Sequence, residues 1–161
     1  MSFVTPSTRS NRAEPVPASA PGVPRWVWRT AAAVAVAGIA ISGYLSLKAF
    51  QGAPPVCLAG DCAEVAASPY AQFLGVPMSA WGLVLYVAVA AVGATAGWGR
   101  SAPEWLPVAF LGLVAFGLTF SLYLVWIQVA VIDAVCSWCL ASDGLWVVLL
   151  VLALLAVRRA G

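Results

Sequence analysis

Four cysteines carry most of the chemistry that this sequence can perform. They form two closely spaced pairs, Cys57 with Cys62 and Cys136 with Cys139. The chain has no histidine, so it lacks the commonest acid–base residue and the commonest metal ligand. Electron or proton chemistry must therefore involve these cysteines, the acids, the tyrosines and bound small molecules.

The second pair, Cys136-Ser-Trp-Cys139, lies where a helix is predicted to begin. Residues three apart at a helix start share one face, and the helix dipole and free N–H groups there favour a thiolate. A lowered thiol pKa suits Cys136 to disulfide exchange, as the attacking or the leaving sulfur. We expect Cys136, in the first turn, to be the more exposed sulfur of this pair.

The first pair encloses Leu-Ala-Gly-Asp, in which Gly60 and Asp61 favour a turn, so its two sulfurs can meet in a small ring. Two interpretations without redox chemistry remain open. The cysteines could form structural disulfides or stay unpaired, but a staple across a CxxC turn stabilises little. All four could bind zinc, but a CxxC at a lipid boundary suits a closed tetrahedral site poorly. The spacing therefore favours one redox pair exchanging with another, and we expect no metal.

Composition indicates that lipid is the solvent for the elements that position these cysteines. The 161 residues are 63% hydrophobic and 9% charged, whereas soluble proteins contain about 25% charged residues. A chain of this length has too little interior to bury that apolar surface. The net charge of +2, without a basic run, does not indicate nucleic acid binding. We predict an all-α bundle of four transmembrane helices.

Apolar stretches place the predicted spans at about residues 27–48, 78–98, 106–131 and 136–157. The first is free of charge from Thr30 to Leu47, and a span needs about 17–25 residues. It could instead be a signal peptide, but the spans downstream argue against that interpretation. The membrane domain is predicted to cover residues 25–158, after a proline-rich, disordered cytoplasmic tail at 1–24. Residues 49–77 form the one long connection, an outer loop.

The distribution of Lys and Arg predicts the orientation. Arginines concentrate before the first span and at the C-terminus, at positions 9, 12, 25, 29, 158 and 159. The connection after the first span has only Lys48, and the last connection has neither residue type. Both termini are therefore expected in the cytoplasm of a cell-membrane protein. All four cysteines then lie on the outer side, where disulfides form and persist.

Two dithiols on an outer face need a source and a sink of electrons. The sequence has no haem-binding histidine, no dinucleotide-binding fingerprint and no recognisable soluble domain. A small hydrophobic acceptor dissolved in the bilayer suits a CxxC at the membrane boundary. We therefore expect this acceptor to be a quinone.

Three motifs resemble the vitamin K epoxide reductase family in its bacterial, quinone-dependent disulfide-forming branch. They are Cys57-Leu-Ala-Gly-Asp-Cys62-Ala-Glu-Val65 with Ser68, Gly75-Val-Pro77-Met-Ser79-Ala-Trp-Gly82, and Cys136-Ser-Trp-Cys139-Leu140. The resemblance covers about residues 27–157. Quinone-coupled Dsb-type membrane oxidases, which are unrelated, have their CxxC early in the chain, whereas here it is late.

The resemblance implies a quinone-dependent thiol–disulfide oxidoreductase with a role for each cysteine. Cys139 would face the quinone, Cys136 would exchange with Cys62, and Cys57 would meet the external thiol partner. This partner would be a thioredoxin-fold thiol oxidase, expected to be a separate protein because the chain ends at Gly161 without such a domain. A menaquinone, ubiquinone or phylloquinone-like molecule would be the co-substrate.

Four residues are expected to bind the quinone: Ser68, Ser79, Trp81 and Asp143. Ser68 matches a family serine near the quinone pocket, and Trp81 serves equally well as an interface anchor. Asp143 could donate a proton to the reduced quinone or could reach headgroup water. Animal members have Asn just before the serine equivalent to Ser79 and Tyr in place of Asp143. Here Met78 occupies the Asn position, so we expect quinone reduction rather than epoxide reduction.

Two further expectations concern structure. The outer loop should cover the quinone site with a short helical segment around Val65–Leu74. Gln128 and Tyr123, which are polar residues in the third span, should form hydrogen bonds between helices.

Overall fold

A computed structural model of the chain describes residues 22–99 and 103–161, so residues 1–21 of the predicted tail lie outside the described residues. The long helices are α1 (Arg25–Phe50), α3 (Met78–Trp98), α4 (Leu106–Ile127) and α5 (Ser137–Ala160). Between α1 and α3 lie a short helix, α2 (Cys62–Ala67), a 3₁₀ turn (Pro69–Ala71) and the strands β1 (Gln72–Phe73) and β2 (Val76–Pro77). A π-helical turn, Gln128–Ile132, extends α4. The predicted all-α bundle is confirmed.

The four long helices, with the π turn counted as part of α4, are each long and apolar enough to cross a membrane. Many large apolar side chains on them point outward, among them Val36, Phe116 and Val151. Hydrocarbon favours such surfaces, and a helix satisfies its backbone hydrogen bonds internally, as lipid requires. The chain is thus a multi-pass membrane protein. The helix bounds lie close to the predicted spans, whereas the division into tail, domain and outer loop stays a prediction.

Close approach between helices organises the bundle interior. A Cβ atom on Gly93 of α3 would lie 3.0 Å from backbone atoms of Trp28 and Ala32, so glycine lets α3 pack directly on α1. The interior is otherwise filled by aromatic residues. The Tyr86 ring stacks on that of Trp146 with centroids 4.6 Å apart. These contacts join α1, α3 and α5 into one bundle.

The connection between α4 and α5 is short and sharply bent. The π turn ends at Asp133, which adopts a left-handed conformation with φ 57°. The backbone N–H of Ala134 donates to the carbonyl of Gln128 at 3.0 Å, which closes the turn. The chain then becomes extended at Cys136, the N-cap residue of α5. This connection therefore returns the CxxC to the end of the bundle where α4 finishes.

Residues 51–77 connect α1 to α3 and are called the outer segment after their predicted location. This segment departs from the predicted helix around Val65–Leu74. Its helix begins earlier, at Cys62, and ends before Pro69, because the residue preceding a proline favours extended backbone. Leu74 and Gly75 both have positive φ, which forms a tight turn between β1 and β2. The helical prediction is therefore wrong for the residues after Ala71, where turn chemistry overrides it.

Cysteines and arginines lie at opposite ends of the bundle. At the start of α1, Arg25 donates to the carbonyl of Gly99 at 3.3 Å, and Arg29 donates to that of Gly97 at 3.2 Å. The outer segment instead follows the other end of α1. Which end faces the cytoplasm stays a prediction.

Candidate functional site

The outer segment is joined to the start of α5 by backbone pairing. The N–H of Asp61 donates to the carbonyl of Val135 at 2.9 Å, and Gly60 forms an antiparallel bridge with Cys136. Gly60 has φ +83°, and a Cβ atom there would collide with the Val135 carbonyl. Only glycine combines this positive φ with the absence of a Cβ atom, so only glycine fits here without strain. This pairing brings the two cysteine motifs together although they are distant in sequence.

The loop cysteines form a disulfide that lies against the CxxC motif. Cys57 and Cys62 are bonded, and their Cα atoms are 5.7 Å apart. The hydroxyl of Ser137, inside the CxxC, lies 3.5 Å from the sulfur of Cys57 and 3.8 Å from that of Cys62. Sulfurs in a disulfide carry no hydrogen, so Ser137 is the donor. Ser137, which sequence analysis did not single out, therefore contacts the other cysteine pair directly.

Cys136 and Cys139 are free thiols, and their exposure is the reverse of the prediction. Cys136 is only 2% exposed, because the outer segment pairs with it, whereas Cys139 is half-buried. A hydrogen bond from the Cys139 thiol lowers the pKa of Cys136 below its ordinary value, against the opposing effect of burial. Backbone N–H groups of Trp138 and Cys139 lower it further. This is the effect expected at a helix start.

Gln128, at the end of α4, forms a hydrogen bond with the start of α5. Its side-chain oxygen accepts a hydrogen bond from the backbone N–H of Cys136 at 2.9 Å, and the residue is 4% exposed. The predicted hydrogen bond between helices thus joins the Gln128 side chain to the backbone of Cys136, the N-cap residue of α5. Tyr123, the other residue of that prediction, is exposed, and its ring stacks on Trp126 of the same helix.

Val56, next to Cys57, is held through both of its backbone groups. Its N–H donates to the Tyr44 hydroxyl at 3.0 Å, and its carbonyl accepts from the Trp138 indole at 2.8 Å. The two rings also contact each other, with centroids 5.6 Å apart. Sequence analysis did not single out Tyr44 or Trp138. The only signal was the position of Trp138 inside the CxxC.

A cavity of about 520 Å³ lies between the outer segment and the ends of the helices. This volume is within the range of about 300–1,000 Å³ that is usual for small-molecule sites. Cys62, Cys136 and Cys139 all line it, among mainly apolar side chains. Three of the four cysteines therefore share a cavity of ligand size.

The residues expected to bind quinone lie in different places. Ser68 and Ser79 line the large cavity, where Ser68 donates to the carbonyl of Val65 at 2.8 Å. Trp81 does not line it, because its exposed indole packs edge-on against Phe73 with centroids 6.4 Å apart. Asp143 instead lines a second cavity of about 110 Å³, which Ser79 and Cys139 share.

The cysteine arrangement bears on the alternative of a zinc centre. Within residues 22–99 and 103–161, no group of three or more Cys, Asp or Glu side chains is placed to hold a metal ion. Cys57 and Cys62 are also bonded to each other and therefore do not offer thiolates.

A comparison with protein families agrees with the geometry. The model of the vitamin K epoxide reductase family matches residues 18–156 of the chain. The match contains both cysteine pairs, the outer segment and nearly all of the four long helices.

Proposed function

Because the chain belongs to the vitamin K epoxide reductase family, whose members are oxidoreductases, we propose that it carries electrons from a thiol partner to a membrane quinone and so drives disulfide formation. The proposal assigns it to the bacterial, quinone-dependent branch. One observation carries the proposal: the loop disulfide lies within 3.5 Å of the CxxC motif, at Ser137. A loop disulfide that lies against the CxxC motif is placed for disulfide exchange with it.

The exchange balances in two steps. A Cys62 thiolate attacks the Cys136 sulfur of an oxidised CxxC, which forms a mixed disulfide and releases Cys139 as a thiolate. Cys57 then attacks Cys62, which reforms the loop disulfide and releases Cys136. The CxxC has gained two electrons and the loop has lost two. The pairing in the structure, an oxidised loop and a reduced CxxC, corresponds to the state after this transfer.

The large cavity suits a quinone head group as the substrate that reoxidises the CxxC. Its lining is mainly apolar, and it lies at the helix ends, where a lipid-soluble molecule can arrive from the bilayer. Cys139 lines the cavity and is the more exposed CxxC sulfur, so it is the one proposed to meet the quinone. The hydroxyls of Ser68 and Ser79 are candidates for orienting the quinone oxygens.

The thiol partner is proposed to be a separate thioredoxin-fold protein that reacts at Cys57. Cys57 does not line the large cavity, and its neighbours Val56 and Leu58 are 71% and 82% exposed. A partner can therefore reach Cys57 without displacing the quinone. We further propose that the cysteine end faces the outer side of the cell membrane, with both termini in the cytoplasm.

Stopped-flow mixing of the detergent-purified protein with a reduced thioredoxin-fold oxidase and different quinones tests this function through quinone absorbance. We expect Cys139→Ala to abolish quinone reduction with every thiol donor. Cys57→Ala should block reduction driven by the protein partner but spare reduction driven by a small dithiol, which can reach the CxxC directly. Equal losses for both variants with both donors would refute the relay.

A further inference from the structure

A second cavity inside the membrane bundle brings several polar side chains together among apolar ones. Its volume is about 110 Å³, which is room for several water molecules at about 30 Å³ each. Six polar side chains line it: Ser42, Ser79, Ser121, Gln128, Ser142 and Asp143. A buried water molecule needs two to four polar partners, and these side chains can provide them.

Asp143 is the carboxylate of this cavity, and one of its oxygens is unpartnered. Its Oδ1 accepts a hydrogen bond from the Ser121 hydroxyl of α4. Its Oδ2 is buried and has no hydrogen-bond partner among the described residues. Leaving a buried polar atom unsatisfied costs about 1–3 kcal/mol, so such an atom calls for a partner or a role. A water molecule in the cavity can supply this partner.

The same cavity reaches a reactive sulfur. Cys139 lies four residues before Asp143 on α5, which places the two side chains on one helix face. Cys139 also lines both cavities, so its side chain lies where the proposed quinone site meets the second cavity. Asp143 lines only the second cavity and therefore shares with Cys139 a space beside the proposed quinone site.

We propose that Asp143 and the water of this cavity form a proton-transfer site for the Cys139 thiol. The inference rests on the proposed function and adds the path of the proton. As Cys136 and Cys139 join in a disulfide, two electrons pass to the quinone and two protons must reach its oxygens. Asp143 accepts the Cys139 proton and returns it through cavity water to one quinone oxygen. Cys136 releases its own proton to water, and the other quinone oxygen takes up a proton from water. Ser121 holds the carboxylate in place for this exchange.

Few other groups can titrate around Asp143. On α5 these are Cys136 and Cys139, and on α3 it is Tyr86, whose hydroxyl lies 2.9 Å from that of Ser142. The residues that α1 and α4 contribute to the cavity are uncharged. A change of pH profile on replacing Asp143 can therefore be assigned to one carboxylate.

The test is a single turnover of the prereduced protein with excess quinone, followed by quinone absorbance across pH. Carboxylate is the accepting form, so the wild-type rate should rise with pH as Asp143 loses its proton. Asp143→Asn keeps the shape but cannot accept a proton, so we expect about a hundredfold loss and no such rise. Asp143→Glu should restore much of the rate.

The matched control is Asp133→Asn, which removes an exposed carboxylate near the same end of α5. Asn tolerates the left-handed backbone there, so the fold should persist. This variant should keep the wild-type profile. Quenching of tryptophan fluorescence by quinone should show equal affinity in all variants. A rate for Asp143→Asn within twofold of wild type at every pH would overturn the proposal, as would a loss that Glu does not restore.

A second readout needs no quinone reduction and separates this inference from the proposed function. Alkylation of Cys139 in the prereduced protein is followed against pH by mass spectrometry. In Asp143→Asn the midpoint should move to lower pH, because a neutral amide does not oppose a neighbouring thiolate. An unchanged midpoint overturns the proton site, whereas a wild-type protein that reduces no quinone overturns the proposed function alone.

Discussion

At the scale of single residues, Ser137 is the point where the two cysteine pairs touch. Its hydroxyl has one hydrogen and two sulfurs within reach, so it can donate to whichever loop sulfur carries charge during exchange. A hydrogen bond to a charged group contributes about 1.5–3 kcal/mol, so its loss should slow exchange about tenfold or more.

We therefore expect Ser137→Ala to slow turnover driven by the protein partner about tenfold while sparing turnover driven by a small dithiol at the CxxC. The measurement is the initial rate of quinone reduction with each donor. Thr119→Ala is the control, because that hydroxyl bonds only to the carbonyl of Ala115 on its own helix. Equal rates for Ser137→Ala and wild type with the protein partner would show that the hydroxyl takes no part.

Cys136 provides a pH-dependent prediction. The hydrogen bond from Cys139 is the largest cause of its lowered pKa, so Cys139→Ala should raise this pKa and Cys139→Ser, which keeps a donor, should raise it less. The thiolate of Cys136 should thus persist to lower pH in the Ser variant than in the Ala variant. Ultraviolet absorbance of the thiolate during a pH titration measures this, since the loop disulfide does not titrate. If the Ser and Ala variants titrate at the same pH, the hydrogen bond from Cys139 is not the cause of the lowered Cys136 pKa.

At the scale of elements, the outer segment is held onto α5 by backbone pairing at Gly60 and by the bonds to Val56. These contacts determine how close the two cysteine pairs can come. A substitution that disrupts this backbone pairing should therefore slow electron transfer between the two cysteine pairs, although it changes no cysteine.

Gly60→Ala should disrupt this pairing, because its Cβ atom would collide with the Val135 carbonyl. Gly52→Ala is the matched control: it also requires positive φ, at +63°, but its Cβ atom would meet nothing within 4 Å. We expect Gly60→Ala to lose about tenfold or more of the partner-driven rate, a cost of about 1.4 kcal/mol in the barrier, and Gly52→Ala to lose much less. Similar losses would mean that backbone strain, rather than the contact with α5, accounts for the effect.

At the scale of the whole molecule, charge and redox chemistry are separated along the bundle. Arg25 and Arg29 lie at one end, and the cysteine pairs lie at the other. With the arginine-rich end in the cytoplasm, the cysteines reach an oxidising compartment.

This orientation predicts that a membrane-impermeant maleimide labels Cys57 on intact, reduced spheroplasts. A variant with all four native cysteines replaced and Gly161→Cys should be labelled only after lysis. Mass spectrometry of the labelled peptides measures both. Labelling of Cys57 only after lysis would reverse the orientation and remove the outer thiol partner.

The sequence by itself determined the solvent, the helix count and the position of the CxxC motif at a helix start. Charge-free apolar runs such as Thr30–Leu47 specify spans, because lipid leaves a helix few alternatives. The CxxC placed a reactive sulfur pair at a helix start, because dipole and N–H effects act within one turn. These properties depend on neighbours in sequence and are therefore readable from it.

Only the tertiary structure decided which residues meet around those sulfurs. Val56 is clamped by Tyr44 and Trp138, which are 12 and 82 residues away, and no local pattern specifies such a contact. The burial of Cys136 was mispredicted for the same reason, because a distant loop covers it. Asp143 was recognisable as an unusual acid, but its cavity arises only when side chains from α1, α3, α4 and α5 pack together. Helix packing and the path of the loop, rather than local propensity, set these distances.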